Sequence, residues 1–575
     1  MLTNSPVTQS RGARTLFFLG TIVTVGILLY AHQVRVGTPP PGLQRSFLVL
    51  FVYEDYWATA LELLLLVATV FLASRIPSTP ILRQFGQHPW RAAAFTVIIL
   101  SIGCLFSYRN HPLSMDEYAA YFQSRIFAAG HMTGRFPLAM ADWLIPPGFQ
   151  DFFLQISHLD GRVTSTYWPG HALLMAPFSF LHITWAYNAV VSALTLVIMH
   201  RIALEIFGDI EAAGLVLLLT VASPVIFGLG VSYYSMPSHL LANCIYTLLL
   251  LRPTAPRVLG AGVVGSVALV MHNPVPHTLY ALPWIIWLAT RPGGLRLLGM
   301  LFLGYVPVIL IVGFGWFEFS NELRREGREA MAAVLSTPER IRTLLSAFSP
   351  PTRWMLLARA IEAAKIWVWA VPGLVILAFA GAIRWHKSHV VRILTSSALA
   401  TLIGYLFFTQ DQGHGWGDRY FHSAWLTLPL LAAAAIYTPR HATEGSRDTA
   451  PVLFGDMGTR RFITTCALLT LVFGVPWRAW QMQEFMAHDL DQSPHYLGTE
   501  RQVIMMDPRH TFYGGDLIQN DPFLRDNKIR MLTHGPSADQ AMMSVQFPDM
   551  HVVYQDVYGT VWSAAPAMQS PSPDR

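Results

Sequence analysis

Apolar runs of about 17–25 residues recur along most of this chain, each long enough to cross a bilayer as a helix. Hydrocarbon offers no hydrogen-bond partners, so a spanning segment must satisfy its own backbone, and helices do so within one segment. Charged residues make up 13% of the sequence and hydrophobic residues 53%. A soluble domain carries about 25% charge. The expected fold class is therefore an all-α polytopic membrane protein. The formal net charge of +5 does not point to nucleic acid, because the Arg residues gather in short loops between apolar runs.

The runs place about thirteen spans, roughly at 14–31, 50–74, 92–108, 183–206, 210–229, 236–251, 257–273, 276–290, 297–317, 361–383, 390–409, 421–438 and 461–478. With the N terminus in the cytoplasm, nearly every short inner loop receives basic residues. These are Arg75, Arg83 and Arg91; Arg201; Arg252 and Arg257; Arg291 and Arg296; Arg384, Lys387 and Arg392; and Arg440, Arg447, Arg460 and Arg461. Arg11 and Arg14 precede the first run and no small-residue cleavage site follows it, so it reads as an uncleaved span. The apolar but short stretch 167–182 reads as a juxtamembrane or partly inserted helix. Cys104, Cys244 and Cys466 lie in apolar segments and read as packing residues.

Three regions then fall outside the cytoplasm: 109–182, 318–360 with an amphipathic stretch at 341–345, and the tail 479–575. The tail loses the membrane composition. Short β-like runs at 502–506, 528–533 and 551–554, separated by turn residues and a helix, predict a small α/β appendage, with disorder over the last ten residues. The domain expectation is a membrane domain over 1–478 and a C-terminal extracytoplasmic region over 479–575.

Polar motifs crowd the same outer side. Ser114-Met115-Asp116-Glu117-Tyr118 sets two carboxylates at a membrane edge, where charge is costly. The plain reading is a helix start, with Ser114 as N-cap and acidic residues in the first turn. Such a start can also present a carboxylate to a substrate. Tyr118, Tyr121, Phe122, Arg125 and Ile126 predict an aromatic face lying on the membrane surface. Tyr167, Trp168 and His171 follow at the end of the same loop, where aromatics also serve as interfacial anchors. Between two late spans comes Asp411-Gln412-Gly413-His414-Gly415-Trp416-Gly417-Asp418-Arg419-Tyr420-Phe421-His422. Its glycines let backbone approach a ligand, and Arg419 offers a forked donor suited to phosphate. His272 and His277 flank another outer turn. With His111, His131, His158 and His171 also outside, a divalent metal is left open, although no zincin-like spacing occurs and no metal ligands are assigned.

Taken together these residues resemble the GT-C superfamily of integral-membrane glycosyltransferases, in particular the aminoarabinose-transferase-like and protein O-mannosyltransferase-like groups of bacteria. The resemblance rests on Asp116-Glu117-Tyr118, on the stretch from Thr166 to Leu174, on the helix end from Arg201 to Gly208, and on Gly417-Asp418-Arg419-Tyr420. It implies a multi-pass protein of the bacterial cytoplasmic membrane and an inverting transfer from a polyprenyl-phosphate sugar to a glycan, lipid or protein acceptor. Asp116 matches the base position, with Glu117 orienting it. Arg419, His414 and Tyr420 are the expected donor-phosphate ligands, and Tyr167, Trp168, His171, Asp418 and His272 the expected substrate contacts. The residue chemistry is compatible. An attacking alcohol benefits from a general base, and a phosphate leaving group needs cations rather than a proton. The runner-up is a transporter or flippase of a lipid-linked precursor, with intramembrane charges lining its path. Against it, the midspan regions are mostly bare, with Glu54, Asp55 and Glu62 as the main exceptions.

Overall fold

A computed structural model describes residues 10–37, 45–326, 346–440, 453–496 and 498–564. The stretch 341–345 and the last ten residues lie outside these. The chain divides into two compact units, one formed by the described parts of Met1–Cys104, Asn188–Ile309 and Leu335–Gln481, the other by those of Leu105–Tyr187, Leu310–Val334 and Met482–Arg575.

The first unit is helical. Across the whole chain, seven described helices are long and apolar enough to cross a membrane, or eight if the bent pair Ile210–Ala222 and Pro224–Gly230 counts as one span. That pair bends by 58° at Ser223-Pro224, where proline removes a backbone donor. Shorter apolar helices occupy Met236–Leu250, Ala255–Leu269, Leu374–Arg384 and Thr427–Ile436. Two further expected spans are also interrupted. The run 361–383 breaks between Arg353–Val368 and Leu374–Arg384, and the run 421–438 divides into Arg419–His422 and Thr427–Ile436. Helix contacts use small residues: a Cβ on Gly262 would lie 2.1 Å from the Leu301 carbonyl oxygen, and one on Gly304 2.3 Å from that of Leu259. Glycine is what lets these backbones meet.

The second unit contains all seven described strands. β1 (Gly134–Arg135), β2 (Leu154–Ile156) and β3 (Arg162–Ser165) form an antiparallel sheet in the order β1-β3-β2. β4 (Gln502–Met506), β5 (Lys528–Leu532), β6 (His551–Asp556) and β7 (Gly559–Ser563) form a second sheet in the order β5-β4-β7-β6, with β4 and β5 parallel. β4 is buried on both faces. Val503 and Met505 join one core with Phe122, Ile126, Phe136, Val163 and Trp562, while Ile504 and Met506 join another with Leu517, Val553 and Val561. This is the period-2 division of a strand covered on both sides.

The aromatic face expected on the membrane surface is instead core. Tyr118, Phe122 and Ile126, at most 3% exposed, pack against strand residues of this unit. A helical apolar stripe is buried equally well by sheet or by lipid, and here the sheet supplies the partner. The short stretch 167–182 holds an eleven-residue helix, Gly170–Phe180, about 16 Å long and too short to cross a bilayer alone. Cys104, Cys244 and Cys466 are buried.

Candidate active site

The acidic pair lies in the first turn of the helix Met115–Ala128. The first backbone N–H groups of a helix lack intrahelical partners. Ser114 occupies the N-cap position without making the side-chain cap bond. Asp516, from the C-terminal region, supplies a carboxylate instead, accepting from the Met115 N–H at 2.7 Å. Glu117 is fully buried and accepts from the Tyr108 hydroxyl at 2.7 Å. Asp116, its neighbour, is half-buried and accepts from the Tyr167 hydroxyl. Of the two, only Asp116 keeps a surface open to a substrate. Burial, together with the charge of Asp116, pushes the Asp516 carboxyl up to about 7, against the pull of the Met115 N–H.

The rest of the helix is pinned from several directions. Gln123 accepts from the Thr164 hydroxyl at 2.7 Å and the Ser165 N–H at 3.0 Å, which fixes it to β3. Ser124 and Ser179 share a hydroxyl bond of 2.7 Å, joining it to the helix Gly170–Phe180. His171 is buried in a T-shaped contact with Tyr187, ring centroids 5.4 Å apart, and Trp168 is half-buried. Tyr167 is thus the aromatic of this loop that the structure brings to Asp116.

The glycine-rich loop belongs to the other unit. Gln412 organises it, donating to the Gly417 carbonyl at 2.8 Å and accepting from the Arg419 N–H at 2.8 Å. Gly417 has φ +75°, and a Cβ there would lie 2.7 Å from Val225; both conditions select glycine. Asp418 caps the short helix Arg419–His422 through the N–H groups of Tyr420 and Phe421, at 2.9 and 3.1 Å. Burial pushes its carboxyl up to about 6, opposed by those N–H groups and by Arg359 and Lys365. Arg419 is buried, donates to the Gln412 carbonyl and lies over the Tyr234 ring at 4.5 Å. His414 is buried in a T-shaped contact with Trp416, ring centroids 5.3 Å apart.

A cavity of about 220 Å³ opens beside this loop, and its walls include Asp418, Tyr420, Tyr405, Arg359 and Glu362, with Leu402, Ile403 and Phe421. Arg419 and His414 are not among them. Arg359 donates to Glu362 and to the carbonyls of Phe408 and Gln410 at 3.0 and 2.5 Å, and it faces the Tyr420 ring at 5.1 Å. Arg359 falls in the stretch 318–360 and Glu362 at the start of the run 361–383, so the sequence does not present them as one motif. Nearby, Asp55 pairs with Lys365 at 2.6 Å and Arg478 at 2.9 Å, and accepts from Trp369 Nε1 at 2.7 Å. Trp369 in turn contacts Trp416 of the loop, with ring centroids 6.2 Å apart. The i, i+3 spacing of Arg359 and Glu362 was the available signal, since such residues share a helix face.

His272 is half-buried in the first unit, and the nearby His277 bridges Asn243 and the Tyr305 hydroxyl, both at 2.7 Å. Among the described residues no three His, Cys, Asp or Glu side chains gather as a metal site.

No protein-family model matches the chain, and no curated protein does. Among solved structures, ArnT from Cupriavidus metallidurans bound to undecaprenyl phosphate aligns at 14% identity with a TM-score of 0.52, over 84% of this chain and 100% of that one. The apo-state structure of that protein aligns at 13% identity with a TM-score of 0.49, over 84% of this chain and 98% of that one. At such identity the likeness is one of fold, and the chain has an ArnT-like fold.

Proposed function

We propose that this chain is an inverting glycosyltransferase that moves a sugar from a polyprenyl-phosphate donor to a glycolipid, polysaccharide or protein acceptor outside the cytoplasm. The observation that carries the reading is the half-buried Asp116 carboxylate at the start of a helix pinned along its length, in a fold shared with a protein crystallised with undecaprenyl phosphate. Asp116 takes the proton of the acceptor hydroxyl as its oxygen attacks the anomeric carbon. The bond from that carbon to the phosphate oxygen breaks, and polyprenyl phosphate leaves as an anion. Tyr167 holds the Asp116 carboxylate in aim, and the buried Glu117 braces the turn against Tyr108. Arg419, His414 and Tyr420 are assigned to the donor phosphate, where cations and donors offset developing charge. Arg359 joins them on the evidence of the cavity, and Asp418, also in its wall, stays with the substrate contacts. Trp168, His171 and His272 remain assigned to substrate contacts.

The test is the loss of radiolabelled sugar from polyprenyl phosphate in membranes carrying the wild type or Asp116→Asn. The wild type is expected to consume the donor and the variant to spare it. Equal consumption at equal expression would remove Asp116 from the mechanism.

A further inference from the structure

The segment from Asp516 to Asp521 grips the helix that carries Asp116, although some four hundred residues of chain separate them. Asp516 Oδ1 accepts from the Met115 N–H at 2.7 Å. Gln519 donates to the Pro112 carbonyl at 2.7 Å. The Tyr118 hydroxyl donates to the Asn520 carbonyl at 2.7 Å and accepts from the Asn520 N–H at 2.8 Å, so both main-chain groups of one residue hold one phenol. Asp521, buried, pairs with Arg125 at 2.7 Å in the last turn of the same helix. The grip is itself anchored. Leu517 and Ile518 lie in the core of the second sheet, and the Asn520 side chain pairs with both main-chain groups of Arg530 on β5, each at 2.8 Å.

We propose that residues 516–521 are a positioning element for the Asp116 carboxylate, with Asp516 as its principal positioning residue. The catalytic half of this inference rests on the glycosyltransferase reading above. Asp116 is the second residue of the helix, so any rotation of the first turn moves its carboxylate directly. Misplacement of a reacting group by about 1 Å can cost up to about 10²-fold in rate. Asp516 acts on the backbone of the neighbouring residue, as an acceptor that holds the turn. The C-terminal region is thereby part of the catalytic architecture.

The discriminating pair is Asp516→Asn, which keeps the acceptor oxygen, and Asp516→Ala, which removes it. In full-length protein in nanodiscs, hydrogen exchange at the amides of residues 115–118 should rise at least about fivefold in Asp516→Ala, remain within about twofold in Asp516→Asn, and leave β4 and β5 unchanged in both. With a polyprenyl-phosphate sugar as substrate, kcat of Asp516→Ala should fall about tenfold with KM within about twofold, and Asp516→Asn should restore most of it. Unchanged exchange in Asp516→Ala would overturn the grip. An Asn variant as impaired as the Ala variant would overturn positioning in favour of a charge role. Full turnover in Asp516→Ala, where Asp116→Asn is inactive, would overturn the catalytic half. Absence of transfer by the wild type would sink the transferase reading and that half with it, while exchange still decides the grip. Should Asp516→Ala not fold, Gln519→Ala, which removes only the bonds of one amide, carries the same readouts.

Discussion

Asp116 and Glu117 are neighbours with different fates. Glu117 is sealed against Tyr108, so Glu117→Gln, which can still accept from that hydroxyl, should lower turnover only a few-fold, by about 1 kcal/mol of transition-state stabilisation. Asp116→Asn should lower it about 10²-fold or more; comparison of the two kcat values checks the assignment, and equal losses would contradict it. Asp516 makes a separate prediction in pH. Its folded carboxyl sits near 7, chiefly through burial, whereas in an unfolded chain it titrates near 3.8. Between these values the folded state holds a proton that the unfolded state has released, so this group's contribution to stability falls as pH rises from about 4 to 7 and is level below that. Asp516→Asn should remove this slope. Thermal unfolding of purified protein across that range reads it, and an unaltered slope would show that the burial of Asp516 carries no such linkage. The sequence displayed Asp116 and Glu117 because charge beside hydrocarbon stands out. It could not display Asp516, whose role comes from a long-range contact with the Met115 N–H.

At the scale of elements, the glycine-rich loop was legible as a loop, and its chemistry only in part. Gly417 supplies left-handed backbone and Asp418 the helix cap, two structural roles that the motif did not specify. The Arg359–Glu362 pair straddles the start of the run 361–383 and so belongs to no single segment of the sequence pattern. Both side chains are buried, so removing one partner leaves an uncompensated charge at a cost of about 3–5 kcal/mol. Glu362→Leu alone should therefore destabilise more than the double variant Arg359→Met/Glu362→Leu. A double-mutant cycle in unfolding temperature checks this, and simple additivity would show that the pair is uncoupled. In the tail, β4, β5 and β6 were readable from β-branched and apolar runs, and the helix between them from its flanking turns. β7 escaped, as did the three strands of the loop 109–182, which at two to four residues carry too little alternation to register.

For the whole molecule, the charge distribution predicts that residues near Gly161 and near Ser537 lie outside the cytoplasm. Single cysteines introduced there, in a background lacking Cys104, Cys244 and Cys466, should react with an impermeant reagent in intact cells. Reaction only after permeabilisation would reverse the topology and remove the outer-face site. Hydropathy displayed the membrane class at once, because each span must satisfy its own backbone. It did not show that the loop 109–182 and the C-terminal tail fold into one unit, since nothing in either segment marks the other as its partner.

The central claim is that Asp116 performs chemistry while the loop of Arg419 holds the donor. Binding and turnover of one polyprenyl-phosphate sugar, measured side by side in Asp116→Asn and Arg419→Ala, test it most directly. The account predicts that Asp116→Asn binds the donor like the wild type and fails to turn it over, that Arg419→Ala loses both, and that Arg419→Lys recovers only part because a point charge does not reproduce the guanidinium fork. Near-wild-type binding and turnover in both Asp116→Asn and Arg419→Ala, at normal expression, would contradict it.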